Sequence, residues 1–541
     1  METRALLAIV LSILVLFGFQ YFMGHSPPEK PFAPPADSVL TQGTDRSPAT
    51  AQPKPTVRPS EAEKALLREA RDITVTTDLL RVTFTEKGGT IRSCLLKAFP
   101  VKLGDESELT ELVALPSGDP PFFDLDMPGI GNISSHLCTS DQEDMDLKLG
   151  SAPGTLTFSC PLPDGRIVTR EYTFHPGSYL VESRTRIRPS VQNGSAVLGI
   201  ANRPLGRNSS YVFEGPEYSS NGSLVECDLK KPGESISFIG PIDWAGYGNQ
   251  YFLIAIIPAS PSPPSTVTFS KKDAKGPILS TLQTGGLISE NGETVIETGL
   301  YLGPKDITYL KAAGHNLTNS INFGWFDPIA KPLLYALRFL DTYLHNYGVA
   351  IIIITIVIKI LFWPLAYKSA KSMKTLQKIQ PKLAKLKEKY GDDREQLNKE
   401  LMQLYKTYKV NPLGGCLPML LQIPVFFALY KVLLQSIELR HAPFMLWIND
   451  LSAPDRLMIP GVEIPYLDGI PVLTILMGIS MYFQQKMAPT SLDPTQAKIM
   501  QFLPVVFTFM FITFPSGLVL YWLVNNVLSI AQQYYINKFT D

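Results

Sequence analysis

The sequence predicts a polytopic α-helical membrane protein with an all-β domain inserted between its first and second membrane spans. Three features of the 541 residues predict this fold. The chain begins with an uncharged apolar run, continues with short segments of alternating apolar and polar residues, and ends with five apolar runs. It is too long for one ordinary domain, and its formal net charge of zero excludes no class of protein. We therefore expect six transmembrane helices, five of them in a C-terminal core.

The N-terminal apolar run covers residues 5–23 and contains nineteen residues without a charge. About 20 such residues span a bilayer. A cleaved signal peptide is the alternative, but its apolar core would have ~7–15 residues and would precede a cleavage site of small residues. The following FMGHSPP offers no such site. We expect an uncleaved anchor over residues 1–24 and an extended, proline-rich linker over residues 25–60.

Residues 61–320 are predicted to form the all-β domain. Segments such as DITVTTDLLRVTFTE alternate apolar and polar residues, as half-buried strands do. Pro163-Asp164-Gly165 lies between the alternating runs GTLTFSC and RIVTREYTF, which is a strong hairpin signal. No helix-period segment interrupts the series. This pattern predicts an antiparallel β-sandwich.

Four of the five cysteines lie in this domain: Cys94, Cys138, Cys160 and Cys227. Four cysteines can pair in three ways, and the sequence does not choose among them. Their spacing matches no zinc motif, and no HExxH occurs, so we expect structural cysteines and no metal. No P-loop motif GxxxxGK[ST] occurs either. No cofactor is predicted.

The five C-terminal apolar runs cover residues 347–367, 416–437, 470–484, 499–514 and 517–535. Between residues 368 and 409 there are twelve Lys or Arg against five Asp or Glu. Such an excess of basic residues marks a cytoplasmic segment. Six spans then place both termini in the cytoplasm and the β domain outside, which in a Gram-negative cell is the periplasm. Cysteines can oxidise there.

Two helical elements are predicted beside these spans. Residues 325–346 combine helical apolar spacing with charges, which predicts an amphipathic helix lying in the membrane interface. An ordinary surface helix of the preceding domain is the alternative. Residues 368–410 are predicted to form a cytoplasmic coiled-coil hairpin, with a kink at Pro381 and a capping box from Asp392 to Glu395. The alternative is a solvated basic linker. The seam of this hairpin would be formed by Leu376, Ile379, Leu383, Leu386 and Tyr390 with Leu397, Leu401, Leu404 and Tyr408.

Lys359 is the most informative residue of the apolar runs, because a lysine near the centre of a span costs ~2.5–3.5 kcal/mol. Thr355 lies one helical turn earlier on the same face. One interpretation is a lysine that snorkels to the cytoplasmic interface. The other is a lysine that faces a wet cavity, and none of the five runs holds an acidic residue to neutralise it. The polar residues expected to turn inward around it are Gln422, Asn525, Asn526, Gln532 and Gln533.

Several long stretches resemble the YidC/Oxa/Alb family of membrane protein insertases, in the Gram-negative form with a large periplasmic domain. They are IIIITIVIK (351–359), KVNPLGGCLPMLLQIPVFFALYKVL (409–433), ELRHAPFMLWINDLSAPD (438–455) and FPSGLVLYWLVNNVLSIAQQ (514–533). With the β domain and the N-terminal span, the resemblance covers essentially the whole chain.

This resemblance implies a hydrophilic groove, open to the cytoplasm and to lipid, that holds one cation and receives an incoming polypeptide. The cation is usually Arg in the family, whereas the matching residue here is Lys359. Lysine keeps the charge but lacks the two-donor fork of arginine. The resemblance carries substrate contacts over to Thr355, Tyr521 and Trp522, and it implies a β domain similar to sugar mutarotases.

The implied partners are nascent membrane proteins, membrane lipid, the Sec translocon, and the ribosome or signal-recognition targeting machinery, with no specific nucleic-acid readout. The chain would not be an enzyme. Two alternative functions remain at this point: a small-solute transporter with Lys359 as an anion site, and a membrane-tethered protein that binds or processes carbohydrate. Deleting most of residues 61–300 separates the insertase from the tethered protein, because the insertase should keep its activity and a tethered enzyme should lose it.

Overall fold

The computed structural model describes residues 69–539, apart from residues 114, 117, 192–194, 205–211, 230, 260–264, 285–287, 291, 391–392, 409–416, 460, 462–468 and 488–493. The predicted anchor and linker, residues 1–24 and 25–60, lie outside the described residues. The described residues form a β domain followed by a group of helices.

The strands of the β domain are β1 (Asp72–Thr76), β2 (Leu80–Thr85), β3 (Thr90–Lys102), β4 (Asp105–Glu111), β5 (Asp124–Met127), β6 (Gly131–Asn132), β7 (Met145–Asp146), β8 (Gly154–Pro161), β9 (Ile167–Phe174), β10 (Leu180–Arg188), β11 (Ala196–Asn202), β12 (Gly215–Ser220), β13 (Ser223–Glu226), β14 (Glu234–Gly240), β15 (Trp244–Gly248), β16 (Phe252–Pro258), β17 (Ser265–Lys271), β18 (Ile278–Thr284), β19 (Ile288–Glu290) and β20 (Glu293–Pro304).

These strands pair into three sheets, in the orders β4-β3-β2-β1-β7, β13-β12-β15-β16-β20-β10-β9-β8 and β14-β17-β18-β11-β5-β6, with β19 beside β20. β1 and β7 pair in parallel, and the other pairings between described strands are antiparallel. The first two sheets contact each other through Phe84 and Tyr172, whose ring centroids are 4.6 Å apart. Tyr218 and Phe238 join the second and third sheets at 4.9 Å. The predicted β-sandwich is confirmed.

The hairpin predicted at Asp164-Gly165 is confirmed. β8 and β9 pair antiparallel from Gly154 opposite Phe174 to Pro161 opposite Ile167. Gly165 has φ +84°, a conformation that a side chain disfavours and glycine adopts without strain. The alternation read from the sequence therefore fixes the register of these strands.

The structure has one disulfide in this domain, so it matches none of the three complete pairings that the sequence allows. Cys138 and Cys160 form a disulfide, whereas Cys94 and Cys227 are free and buried. Cys160 lies on β8, and residues 138–140 run beside that strand, since Thr139 pairs with Ser159. The disulfide therefore ties a connecting segment to the second sheet.

The helices are α1 (Ile307–Ala313), α2 (Asp327–Leu344), α3 (Tyr347–Tyr390), α4 (Arg394–Thr407), α5 (Leu417–Gln435), α6 (Val472–Met487), α7 (Pro494–Phe511) and α8 (Ser516–Phe539). Among the described residues, one helical segment is long and apolar enough to cross a membrane. It is Tyr347–Ser372, the first 26 residues of α3. Residues 422–435 of α5 and 501–511 of α7 are shorter apolar helices. The helices thus coincide with the five predicted runs, while the count of six spans stays a prediction.

The predicted amphipathic helix is α2, whose large apolar side chains divide between two faces. Leu334 and Leu337 are buried against the rest of the protein. Phe339 is 62% exposed and Tyr343 is 70% exposed. Exposed aromatic side chains of this kind suit the interface of a bilayer, and the lipid contact itself stays a prediction.

The predicted hairpin is formed by the second half of α3 and by α4. Its seam is confirmed at three of the predicted residues, since Ile379 is buried and Leu383 and Leu404 pack against it together with Tyr405. Tyr405 packs in this seam in place of the predicted Tyr408. The ring of Tyr408 lies beneath the ammonium of Lys382 instead. The helix continues through Pro381.

The predicted capping box is wrong in its register. The N-cap of α4 is Asp393, whose carboxylate accepts hydrogen bonds from the backbone N–H groups of Glu395 and Gln396. The cap therefore lies one residue later than Asp392, because Asp393 can reach the two orphan N–H groups at the start of the helix. The seam of apolar residues is unaffected by this shift.

Candidate functional site

Helices α3 and α8 bring the predicted groove residues together. Tyr521, Asn525 and Ser529 follow each other at intervals of four residues on α8, so they share one face of that helix. Lys359 of α3 lies opposite this face, and its ammonium nitrogen donates a hydrogen bond of 2.8 Å to Ser529 Oγ. The lysine predicted from the sequence thus sits at the contact between the first and last helices of the core.

The ammonium group of Lys359 is stabilised by hydrogen bonding with uncharged groups. Ser529 accepts from it and donates to the backbone carbonyl of Asn525 at 2.7 Å. No carboxylate lies within ion-pair distance of Lys359 among the residues that the structure describes. The side chain is half-buried. Lys359 is thus a cation with hydrogen-bonding support and with no counter-ion in the described part of the chain.

A polar network continues from Lys359 to α5. Gln422 Nε2 donates a hydrogen bond of 2.7 Å to Asn525 Oδ1. Gln422 is also hydrogen-bonded to the hydroxyl of Tyr521. Three predicted residues therefore satisfy one another across two helices, as polar groups within apolar surroundings must.

Asn526 belongs to a second polar contact on a different face of α8. It is 2% exposed, and its Nδ2 donates to Ser480 Oγ on α6 at 3.0 Å. Ser480 in turn donates to the carbonyl of Met477. The prediction that the polar residues turn towards each other is therefore confirmed for Gln422 and Asn525. It is wrong for Asn526, which instead connects α8 to α6.

Thr355 and Trp522 are placed differently from Lys359. Thr355 is 1% exposed and donates to the carbonyl of Ile351 on its own helix at 2.6 Å. The Trp522 ring lies in an aromatic cluster, 4.8 Å from Phe426 and 4.9 Å from Phe511 between centroids. Their roles as substrate contacts stay predictions that the resemblance implies.

Beside Lys359 there is a pocket of about 290 Å³ between α3 and α8. Ile356, Ile360 and Trp363 of α3 line one side, and Leu528, Ala531, Gln532 and Tyr535 of α8 line the other. The walls are mostly apolar, and Lys359 provides the charge. A chain segment with apolar and acidic residues fits this combination of surfaces.

The connector after α5 is hydrogen-bonded to the starts of α6 and α8. Asp455 is 2% exposed and accepts hydrogen bonds from Trp447 Nε1 at 2.6 Å and from the backbone N–H of Leu473 at 2.5 Å. It therefore caps the start of α6. Gly517 N donates to Leu451 O, which fixes the start of α8 to the same connector. These bonds hold three elements together at one end of the core.

Sequence reasoning missed Ser529 and Ser480, the hydroxyl partners of Lys359 and Asn526. Serine in an apolar helix gives a weak signal, because it can also bond its own helix backbone. For Ser529 the spacing held a clue, since it follows Asn525 by four residues. For Ser480 the sequence held no clue to the partner, because α6 and α8 are distant along the chain.

Comparison with known proteins identifies the family. The family model described as 60Kd inner membrane protein matches residues 339–541, and the model of the YidC periplasmic domain matches residues 72–336. Curated proteins named membrane protein insertase YidC match over nearly the whole chain. The protein from Syntrophus aciditrophicus is 43% identical, covering 99% of this chain and 100% of its own. The protein from Geobacter metallireducens is 41% identical, covering 99% and 98%.

A solved structure of an active YidC insertase aligns with 87% of this chain and 93% of its own, at 20% identity and a TM-score of 0.38. The family models and the curated relatives disfavour the solute transporter and the tethered carbohydrate-binding protein, and they indicate an inner-membrane protein with a periplasmic domain. The chain belongs to the YidC family of membrane protein insertases.

Proposed function

We propose that this chain inserts membrane proteins through the polar space around Lys359, where a client polypeptide meets the half-buried ammonium group. One observation carries the proposal: Lys359 is held by Ser529 and has no carboxylate partner among the described residues. A lysine at the centre of a span costs ~2.5–3.5 kcal/mol, which is tolerated where it serves a function. As an insertase, the chain is not an enzyme in the catalytic sense. The proposed groove residues are Lys359, Thr355, Gln422, Tyr521, Trp522, Asn525 and Asn526.

The proposed topology has six spans, formed by the N-terminal anchor (1–24) and the five-helix core (347–541). Both termini lie in the cytoplasm, and residues 61–320 lie in the periplasm. The Lys-rich segment 368–410 supports this orientation, because basic loops are retained in the cytoplasm. The end of the core at Asp455 then faces the periplasm, and the pocket beside Lys359 opens towards the cytoplasmic half.

Three physical steps move a client. Lys359 attracts a negative charge in the client's outer tail, and at ~4 Å such a pair is worth a few kcal/mol in a semi-polar site, so capture is reversible. The client's apolar segment then leaves the groove for lipid, at ~0.8 kcal/mol per buried methylene. The membrane potential adds ~2.3 kcal/mol per 100 mV for each acidic residue moved outward. No covalent chemistry is required.

The proposed partners follow from the exposed elements. The basic hairpin 368–410 suits the ribosome or signal-recognition targeting machinery, to which it would bind by charge without reading nucleotide sequence. The Sec translocon would share clients with this protein within the same membrane. Lipid contacts the exposed aromatic face of α2.

Reconstitution into proteoliposomes tests the proposal. Clients are a single-span protein with an acidic outer tail and the same protein with a neutral tail. We expect Lys359→Arg to retain insertion of both, because the charge remains, and Lys359→Glu to lose insertion of the acidic client while still inserting the neutral one. Equal insertion of the acidic client by the unaltered chain and by Lys359→Glu would contradict the proposal.

A further inference from the structure

A second polar group lies in the pocket beside Lys359. Gln532 lines this pocket, three residues after Ser529 on the same face of α8. Its side-chain nitrogen Nε2 is buried and has no hydrogen-bond partner among the described residues. A buried donor without a partner is unfavourable, because it has given up its hydrogen bonds to water, so its presence in the pocket calls for an explanation.

Ser529 cannot serve as a donor to a client. Its hydroxyl has one proton, which it donates to the carbonyl of Asn525, and its oxygen accepts from Lys359. Asn525 and Gln422 are likewise engaged with each other. Gln532 Nε2, by contrast, is a buried donor for which the described residues provide no hydrogen-bond partner.

A carboxylate offers two oxygens and is held best by two donors in a fork, as arginine provides. Lysine is a point charge and provides no fork. Its ammonium has further protons beyond the one given to Ser529. A carboxylate in the pocket could therefore accept one hydrogen bond from Lys359 and one from Gln532.

We infer that Gln532 is a specificity-determining residue, which donates the second hydrogen bond to an acidic side chain of the client bound at Lys359. The inference rests on the proposed function, since it needs the client's tail to enter this pocket. The pair of Lys359 and Gln532 selects a carboxylate over an amide. The two oxygens of a carboxylate accept one hydrogen bond from each donor, whereas a client amide would place its own NH2 group against the Lys359 ammonium.

A double-mutant cycle tests the inference, with initial insertion rates measured in proteoliposomes at limiting client. We expect Gln532→Met to slow the client with an aspartate tail by roughly tenfold, the loss of one hydrogen bond to a charged group, and to leave the matching asparagine-tailed client within about twofold. In the Lys359→Arg background the same change should have little effect, because the guanidinium supplies both donors.

Gln533→Met is the matched control. Gln533 neighbours Gln532 but already has an interaction, so its replacement should affect the aspartate and asparagine clients equally. Amounts of reconstituted protein are compared for every variant, which removes differences in folding from the rates.

The outcomes separate this inference from the proposed function. If Lys359→Gln inserts the aspartate client normally, the proposed function fails and the inference fails with it. If Lys359→Gln is impaired but Gln532→Met is not, only the inference is overturned. An equal loss for both clients in Gln532→Met, or an equal loss with Lys359 and with Arg at position 359, would assign Gln532 a structural role and would also overturn it.

Discussion

Arg338 of α2 and Glu438 of the connector after α5 lie 3.3 Å apart between Nη1 and Oε1. The same guanidinium lies 3.5 Å from Asp306 Oδ1, at the end of the β domain. Arg338 thus joins the β domain, the amphipathic helix and the helical core. Burial raises the pKa of Glu438 to about 7, with a further increase from Asp306, while Arg338 acts to lower it.

Glu438 should make the stability of the protein depend on pH. Its folded pKa lies above its ordinary value of 4.5, so the folded chain binds this proton more tightly than the unfolded chain. The stability contributed by Glu438 is therefore fully present below about pH 4.5 and is lost as the pH rises through about 7, by at most about 3 kcal/mol. Urea unfolding of the solubilised chain between pH 4.5 and 8 measures it.

Glu438→Gln should remove this component, so that the difference in unfolding free energy between the two chains changes across the range. Glu297→Gln serves as the control, because Glu297 is 52% exposed on the β domain. Parallel curves for the unaltered chain and Glu438→Gln would contradict the raised pKa.

Cys94 and Cys227 should be unreactive in the folded protein. Burial raises the pKa of both thiols, for Cys227 to about 12, so neither forms the reactive thiolate near neutral pH. We expect iodoacetamide to label them after denaturation but not before. Peptide mapping without reductant should recover Cys138 linked to Cys160, and any other linkage would refute the connectivity.

Arg170 should stabilise the β domain. It is fully buried, and its guanidinium donates to Gly88 O at 2.9 Å and to Phe123 O at 2.8 Å. Arg170→Met leaves both buried carbonyls without these donors, so we expect a loss of about 2–5 kcal/mol. Denaturant unfolding followed by the circular dichroism of the strands measures this loss.

Arg184→Met is the matched control, because Arg184 lies on the neighbouring strand with its side chain 53% exposed. An exposed ion pair contributes ~0–1 kcal/mol. Similar unfolding midpoints for Arg170→Met and Arg184→Met would show that the buried guanidinium is dispensable.

Trp522, one of the proposed groove residues, should also contribute to packing. Its ring contacts Phe426 and Phe511, so Trp522→Ala should reduce stability by about 3–5 kcal/mol and slow acidic and neutral clients alike. Trp522→Phe should have a smaller effect. An unchanged thermal unfolding midpoint for Trp522→Ala would show that the aromatic cluster does not depend on this ring.

The strands and helices were predicted well from the sequence, whereas the contacts between them were predicted only in part. Alternation and the Asp164-Gly165 turn predicted β8 and β9, because a strand with one buried face fixes its own register. The apolar runs predicted the core helices, since length and composition suffice for that. The pairing of Cys138 with Cys160 depends on which strands are neighbours, which a single sequence does not contain.

In the candidate site, too, some residues were predictable from the sequence and their partners were not. Lys359, Gln422 and Asn525 were predictable, because polar groups in apolar helices turn towards one another. The partner of Lys359 was not, since Ser529 is a common residue whose role depends on how α3 crosses α8. The separation of Asn526 from the Lys359 network likewise follows from the position of α6.

The accessibility of position 359 tests the central claim most directly. Lys359→Cys is introduced with Cys416→Ser, and Val357→Cys, whose native side chain is 57% exposed, provides a lipid-facing control. The account predicts that a membrane-impermeant maleimide added from the cytoplasmic side labels Lys359→Cys and not Val357→Cys, and that Lys359→Cys crosslinks to a ribosome-stalled client. A cysteine at 359 that neither reacts nor crosslinks would contradict it.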